Sequence, residues 1–525
     1  MLTKSTLVIL LLFTLIGAIF RFYNLTSLPP GLLQDEVIAG YDAYALGLTG
    51  KDHHGVLLPL IFQSFNDWTM PILTYLLIPF MKFGGLTAFC LRFPIALLSI
   101  LTIPLIYWFS YRLFESRSVS IFAALFATVS SFSITAGRWS IPPNTVLPIF
   151  LLGTNCLLQA RTTGKLRWLM LGSLFLGLSI YTYPSLKLFL PLYLFILFYF
   201  LSPLFSKKVI LALLPLAIAF PLYYLNVTDF SRYNNRFSMV SVFHHAGNWP
   251  LTYAANYLSY LLPGNLFLSG EVNPTRTVPG FGYELIGIGV FFYWGLITLA
   301  WKLVKKRCPN TEVNIIKFII SFFAIAPIGP ALTVPAGDFQ RTIYILPFVL
   351  AVSAYGFVNL IAKASAKLRI KNWKIALIFS GLVIGNFFLF WSKYTGTSFR
   401  EINEWYYQDG LNKVFQILHK YESDATLVFV DTTINTPYAY YLFYNSVDPR
   451  TLNYRDFYSV GSNGWLKVDA IGKYHFLKID DKQIANAKLL EEIANSPWSV
   501  YRIYQKNQEL FVVFVKIRNG SPLTN

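Results

Sequence analysis

Long apolar runs fill the first three-quarters of the chain, and short basic segments separate them. Runs near 5–22, 94–111, 119–136, 144–160, 168–183, 188–204, 209–226, 284–301, 314–335, 342–361 and 375–392 approach the roughly 20 residues that cross a bilayer as a helix. The run 70–83 is shorter and ends at Lys82-Phe83-Gly84-Gly85, the pattern of an interfacial or re-entrant segment. From residue 393 onward the pattern changes to that of a polar domain. Thr426–Val430 reads as a buried strand and Pro437–Tyr444 as an aromatic helix, while Trp498–Tyr504 and Leu510–Ile517 read as a hairpin around Lys506-Asn507-Gln508. The expected fold class is an α-helical polytopic membrane protein of about 11 transmembrane helices with a small α/β extracytoplasmic C-terminal domain. The expected division is a membrane body over 1–392, with a first outward loop at 23–93, and the α/β domain over 393–525.

Charge placement orients the spans. The 525 residues carry a net charge of +18 with only 13% charged residues, about half the usual content of a soluble domain. The basic residues gather between runs: Arg112 with Arg117; Arg161, Lys165 and Arg167; Lys207 and Lys208; Lys302 to Arg307; and Lys363 to Lys374. This is the positive-inside pattern rather than a nucleic-acid footprint, so no nucleic-acid partner is expected. It puts the N-terminus in the cytoplasm and the loops 23–93 and 227–283, together with the tail, outside a plasma membrane. The first 22 residues offer no small-residue cleavage site and are expected to remain as the first span. Cys90, Cys156 and Cys308 have neither metal nor redox spacing.

The loops on the inner side are too short for a nucleotide-binding domain, and the sequence has no Walker A segment, no G-x-G-x-x-G and no Asp-x-Asp. That argues against ATP-driven transport and against a cytosolic nucleotide-sugar donor. Of eleven acidic residues in the membrane body, nine fall on the outward side, five of them in the first loop: Asp35, Glu36, Asp42, Asp52 and Asp67. Carboxylates beside a membrane are costly to keep and tend to be functional. The segment from Asp35 predicts an amphipathic helix lying on the membrane surface, its apolar side made by Val37, Ile38, Tyr41, Tyr44, Ala45 and Leu48. Asp35 and Asp42, seven apart, share a face, and Asp35 stands near the helix N-terminus, where the dipole favours a carboxylate. Such a group suits a general base acting on an acceptor hydroxyl.

Asp35-Glu36 just after the first span resembles the signature of the protein O-mannosyltransferase and aminoarabinose-transferase family, within the GT-C superfamily of polyprenyl-phosphate-dependent glycosyltransferases. Further similar segments are Gly50-Lys-Asp52-His-His-Gly55, Asn66-Asp67-Trp68 with Pro71 and Tyr75, Gly84, Arg92-Phe-Pro94, Arg138, Tyr181-Thr-Tyr-Pro-Ser-Leu-Lys187, Leu266-Phe-Leu-Ser-Gly270, and Arg341 before Pro347. The resemblance implies an outward-facing site where a sugar leaves a polyprenyl phosphate for a protein, lipid or polysaccharide acceptor. It implies Asp35 as catalytic base with Glu36 assisting. Two departures stand out. No stretch is long enough for the β-trefoil module of the eukaryotic protein mannosyltransferases, and no acid follows Arg138 closely, where Asn144 stands instead.

The chemistry agrees with that reading. Inverting transfer from a phosphate-linked sugar needs a base and a cationic site for the departing phosphate, and needs no general acid. Arg138, Arg341, Lys187 and Arg92 are the candidate phosphate ligands, with Arg276 a further outward cation, because an arginine fork fits phosphate oxygens. Asp42, Asp52, His54, Asp67 and Trp68 are the candidates for holding sugar or acceptor. His53 and His54 beside Asp52 leave a divalent cation open, and adjacent loop histidines also read as polar surface. A transporter or lipid-carrier flippase is the runner-up. It would call for helical repeats and acids inside the spans, whereas these acids lie in loops and no internal repeat is visible.

Overall fold

The computed structural model describes residues 3–65, 67–201, 213–244, 247–270, 273–305, 309–452, 458–460, 466–496, 499–518 and 521–522. Asn66, Lys207, Lys208, Lys306, Arg307, Cys308 and Trp498 lie outside the described residues, as do the end of the run 188–204 and the start of the run 209–226. The chain divides into two compact units. One comprises Met1–Tyr23 with Ile95–Thr395, the other Asn24–Pro94 with Gly396–Asn525.

The first helices are α1 (Lys4–Phe22), α2 (Gln34–Thr49), α3 (Ile72–Gly84), α4 (Ala88–Phe114), α5 (Arg117–Val129), α6 (Ser131–Ala136), α7 (Val146–Thr163), α8 (Leu166–Ser179) and α9 (Leu186–Leu201). Leu214–Thr228, Ile286–Val304, Asn310–Ile325, Leu346–Leu368 and Asn372–Tyr394 complete the long apolar set. Among the described residues a helix overlaps each of the eleven predicted runs, although 119–136 is divided between two. Six helical segments of the described residues are long and apolar enough to cross a membrane, and five shorter apolar helices accompany them. The protein is a multi-pass membrane protein. α4, with 27 residues, is about 40 Å long at 1.5 Å per residue. The 13 residues of α3 reach only about 20 Å, less than the ~30 Å hydrocarbon core.

Two expectations change. The run 119–136 is not one helix: Ser130 takes an extended conformation between α5 and α6 and accepts a hydrogen bond from Ser133 N at 3.0 Å. Serine hydroxyls compete with the helical ladder in this way. The helix from Asp35 is also not a surface helix. In α2 every residue from Glu36 to Ala43 is buried, because α3 packs along it and the helix Pro437–Tyr444 covers a further side.

In the first unit the helices Ile286–Val304 and Leu346–Leu368 approach closely at glycines. A Cβ on Gly356 would strike the carbonyl oxygen of Phe291, and one on Gly295 that of Val352. Small residues let two apolar helices approach where lipid offers no hydrophobic drive. In the second unit a seven-stranded sheet runs in the order Ala470–Ile471, Tyr474–Leu477, Leu427–Asp431, Glu509–Arg518, Ser499–Lys506, Lys488–Ser496, with Ser521–Pro522 paired to Glu509–Arg518. Leu427–Asp431 is parallel to both neighbours, with Phe429 opposite Phe511 and His475. The predicted hairpin is present, turning at Asn507, a residue type that tolerates its φ of 55°.

Candidate active site

The turn before α2 is set by Gly31. Its φ is 64°, and a Cβ there would lie 2.8 Å from the Asp409 Cα and collide with the Tyr407 carbonyl, so only glycine fits. Two residues later Leu33 N donates to Glu36 Oε2 at 3.1 Å, closing the first turn of the helix. Glu36 is fully buried and meets Arg92 as a fork: Nε to Oε1 at 3.1 Å and Nη2 to Oε2 at 3.1 Å. The rest of the guanidinium donates to the carbonyls of Leu25 (3.2 Å), Pro29 (2.9 Å) and Gly31 (2.6 Å). A buried ion pair of this kind must be fully hydrogen-bonded to be tolerated, and removing one partner costs about 3–5 kcal/mol. Arg92 therefore braces the Asn24–Glu36 entry to α2. Asp35, beside Glu36 in the same turn, is exposed at the positive end of the helix.

The C-terminal residues hold this turn from the other side. Tyr440 donates its hydroxyl to the Leu32 carbonyl at 2.9 Å, Thr436 Oγ1 donates to Gln34 Oε1 at 3.0 Å, and Tyr41 donates to the Val447 carbonyl at 2.8 Å. Tyr440 is fully buried. Leu32 and Gln34 precede Asp35, so the aromatic helix helps hold the turn that carries it.

Along α2 lies a second cluster. Asp42 Oδ1 accepts from His53 N at 2.9 Å and lies 2.5 Å from His53 Nδ1. Asp52 Oδ1 accepts from His54 N (2.9 Å) and Val56 N (2.8 Å), and the rings of His53 and His54 lie 3.9 Å apart. Burial pushes Asp42 up to about 7, and burial together with the Asp42 charge pushes Asp52 up to about 6. Burial lowers His53 to about 4 and, joined by the His53 charge, His54 to about 3. His53 is thus enclosed rather than polar surface. Asp67 opens the strand Asp67–Thr69, paired with Phe62–Ser64, and caps Trp68 N at 2.8 Å; both residues are half-buried. Among the described residues no group of three or more His, Cys, Asp or Glu side chains is placed to hold a metal ion.

In the first unit Arg138 is fully buried at the end of α1. It donates to the carbonyls of Phe20 (2.7 Å), Arg21 (3.0 Å) and Tyr23, and lies over the Tyr394 ring. A guanidinium there caps the negative end of a helix. Arg341 is different. Its Nε is 3.0 Å from the buried Asp338 carboxylate, which also binds Arg276, and the two arginines keep 14% and 26% of their side-chain surfaces exposed. Asp338 Oδ1 accepts from Gln340 N at 3.1 Å. One buried carboxylate thus orients two guanidinium groups, leaving a net positive, partly open pair. Lys187 donates to Asn226 Oδ1 at 2.7 Å. Asn144 donates to the Trp139 carbonyl at 2.8 Å, bracing the turn after Arg138.

Sequence reading passed over four residues that matter here. Arg21 is buried among Ser99 Oγ (2.7 Å), Ser133 Oγ (2.8 Å) and the Ala127 carbonyl (3.1 Å). Glu284 binds Ser130, Ser131 and Leu285 N, which is why the helix breaks at Ser130. Asp338 and Tyr440 were invisible as anchors, since pairing across long sequence separations leaves no local signal. For Arg21 and Glu284 the signal was an isolated charge at the end of an apolar run.

Residues 69–224 match the family described as dolichyl-phosphate-mannose-protein mannosyltransferase. The match takes in Arg92, Arg138 and Lys187. Among curated proteins none matches the chain in sequence. The oligosaccharyltransferase of Archaeoglobus fulgidus, solved with Zn and sulfate, superposes with a TM-score of 0.50 at 14% identity, covering 84% of this chain and 61% of that one. The chain shares the fold of that oligosaccharyltransferase. Two further solved structures are similar at lower scores. The same archaeal enzyme with an inhibitory peptide and a dolichol-phosphate gives a TM-score of 0.48 at 14% identity, covering 85% of this chain and 64% of that one. ArnT from Cupriavidus metallidurans bound to undecaprenyl phosphate gives 0.47 at 13% identity, covering 84% and 85%. This chain spans less than two thirds of the archaeal enzyme's length.

Proposed function

We propose that this protein is an inverting glycosyltransferase of the GT-C kind that moves a sugar from a polyprenyl phosphate to an acceptor hydroxyl on the extracytoplasmic face of the plasma membrane. The observation that carries the reading is Asp35, an exposed carboxylate on a helix turn that Glu36, Arg92 and Tyr440 hold rigid. Asp35 takes the proton of the acceptor hydroxyl as its oxygen attacks the anomeric carbon. The bond from that carbon to the phosphate oxygen breaks, and the lipid phosphate leaves with the electron pair. Arg341 and Arg276, oriented by Asp338, are the cations proposed for it, since they combine charge with partial exposure. Lys187 remains a further candidate, whereas Arg92 and Arg138 act on backbone carbonyls. Glu36 assists by position rather than by proton transfer. Trp68, Asp67, His54 and the Asp42–Asp52 cluster are candidates for the sugar and acceptor side, the acceptor being a protein, lipid or polysaccharide.

The donor class is tested with purified protein in detergent or nanodiscs. Transfer from a polyprenyl-phosphate sugar, with none from the matching nucleotide-sugar, is the expected result. Transfer from the nucleotide-sugar alone overturns the reading.

A further inference from the structure

The segment after α2 exposes large apolar side chains on a fixed frame. Val56, Leu57, Leu58 and Leu60 are 51%, 65%, 63% and 40% exposed. The loop is tied down: Asp52 N donates to Val56 O (3.0 Å), Leu58 N to Gly50 O (3.1 Å), and Tyr75 Oη to Pro59 O (3.0 Å). The Asp52 carboxylate accepts from Val56 N. Leu58 is held at φ 42°, a conformation that bulky residues adopt only when their surroundings impose it. A loop so constrained to keep leucines outside the core is built to present them.

Its neighbours say to what. Leu57 reaches the end of α2 at Gly50, and the stem of Lys82 lies along Gly47 of the same helix. Phe83, next to Lys82, is 85% exposed. Gly84 abuts Cys90 in the first turns of α4, a helix long and apolar enough to cross a membrane. The patch therefore stands where a membrane helix begins, and two exposed lysines, Lys51 and Lys82, border it. Apolar tips bordered by lysine are the composition of segments that enter a bilayer surface and meet anionic headgroups.

We infer that Val56–Leu60, with Phe83, is a lipid-inserting wedge that seats the unit carrying Asp35 on the bilayer surface, while Lys51 and Lys82 contact anionic headgroups. The inference is independent of the proposed chemistry.

The test places a benzophenone amino acid at position 57, 58 or 83 of the full chain, in nanodiscs of phosphatidylcholine and phosphatidylglycerol. Leu377, 69% exposed on the membrane helix Asn372–Tyr394, is the lipid control, and the exposed Ala485 is the water control. Mass spectrometry should find phospholipid adducts at 57, 58 and 83 comparable to those at 377 and absent at 485. In the Lys51→Glu/Lys82→Glu variant the phosphatidylglycerol share of the adducts at 57 should fall severalfold. Adducts at 57 no more frequent than at 485, or cross-links to a polypeptide in their place, overturn the wedge. An unchanged phosphatidylglycerol share overturns the role of the lysines.

Discussion

Arg92 and Arg341 carry the same charge and sit in different chemistry. Arg92 is fully buried against Glu36 and three carbonyls, whereas Arg341 shares the Asp338 carboxylate with Arg276 and stays partly open. Arg92→Ala leaves the Glu36 charge buried and should destabilise the protein by about 3–5 kcal/mol, with little change in donor KM for the molecules that fold. Arg341→Ala should leave the melting temperature nearly unchanged and raise donor KM about ten- to a hundredfold, the worth of a charge-assisted contact of about 1.5–3 kcal/mol. Arg341→Lys should recover part of that, since it keeps charge and loses the fork. Thermal melts beside donor titrations separate the two. A donor KM that responds to Arg92 rather than Arg341 would reverse the assignment. The Asp42 carboxyl gives a pH test. Its value in the fold, raised to about 7 by burial, means that its contribution to stability is present below the ordinary carboxylate range and is lost as pH rises through about 7. Asp42→Asn should therefore cost most near pH 4 and least near pH 7.5, in melts of the two proteins across that range. A deficit that grows with pH would mark an ionised Asp42 paired with a charged His53.

At the scale of elements, the helix Pro437–Tyr444 and the first turn of α2 form one device. Tyr440 bonds the Leu32 carbonyl and Thr436 bonds Gln34, on either side of the step into Asp35. Tyr440→Phe keeps the ring packing and removes the tether. It should lower kcat about tenfold at unchanged donor KM, and Thr436→Ser should be milder than Thr436→Val because serine keeps the hydroxyl. Loss of stability with unchanged kcat per folded molecule would make the contact merely structural. The helix Pro437–Tyr444 was legible in the sequence, residue for residue, because its aromatic run is local. Its partner was not, because the contact joins positions some four hundred residues apart. The same contrast holds for α2. Apolar spacing gave the helix, but alternation of polar and apolar faces said surface, and the polar face turned out to be buried with its own partners, Asp42 with His53 and Glu36 with Arg92. The break at Ser130 escaped because the glutamate that causes it is Glu284.

For the molecule as a whole, the apolar runs were enough to place the long helices. The periodicity of lipid-facing helices is a strong signal, and the described residues carry six apolar helices long enough to cross a membrane, with five shorter ones beside them. The sidedness rests on charge alone. Cysteines introduced for Lys305 and Lys420, both exposed, should react with an impermeant maleimide from opposite sides of the membrane. Reaction from one side for both would undo the eleven-span topology. The central claim is that one exposed carboxylate, held on a rigid turn, takes the acceptor proton. Its most direct test is single-turnover transfer from a labelled polyprenyl-phosphate sugar by purified wild-type protein and by Asp35→Asn, which alters charge and not shape. The account predicts a loss of about a hundredfold or more in rate, with donor binding and melting temperature unchanged; near wild-type turnover by Asp35→Asn would contradict it.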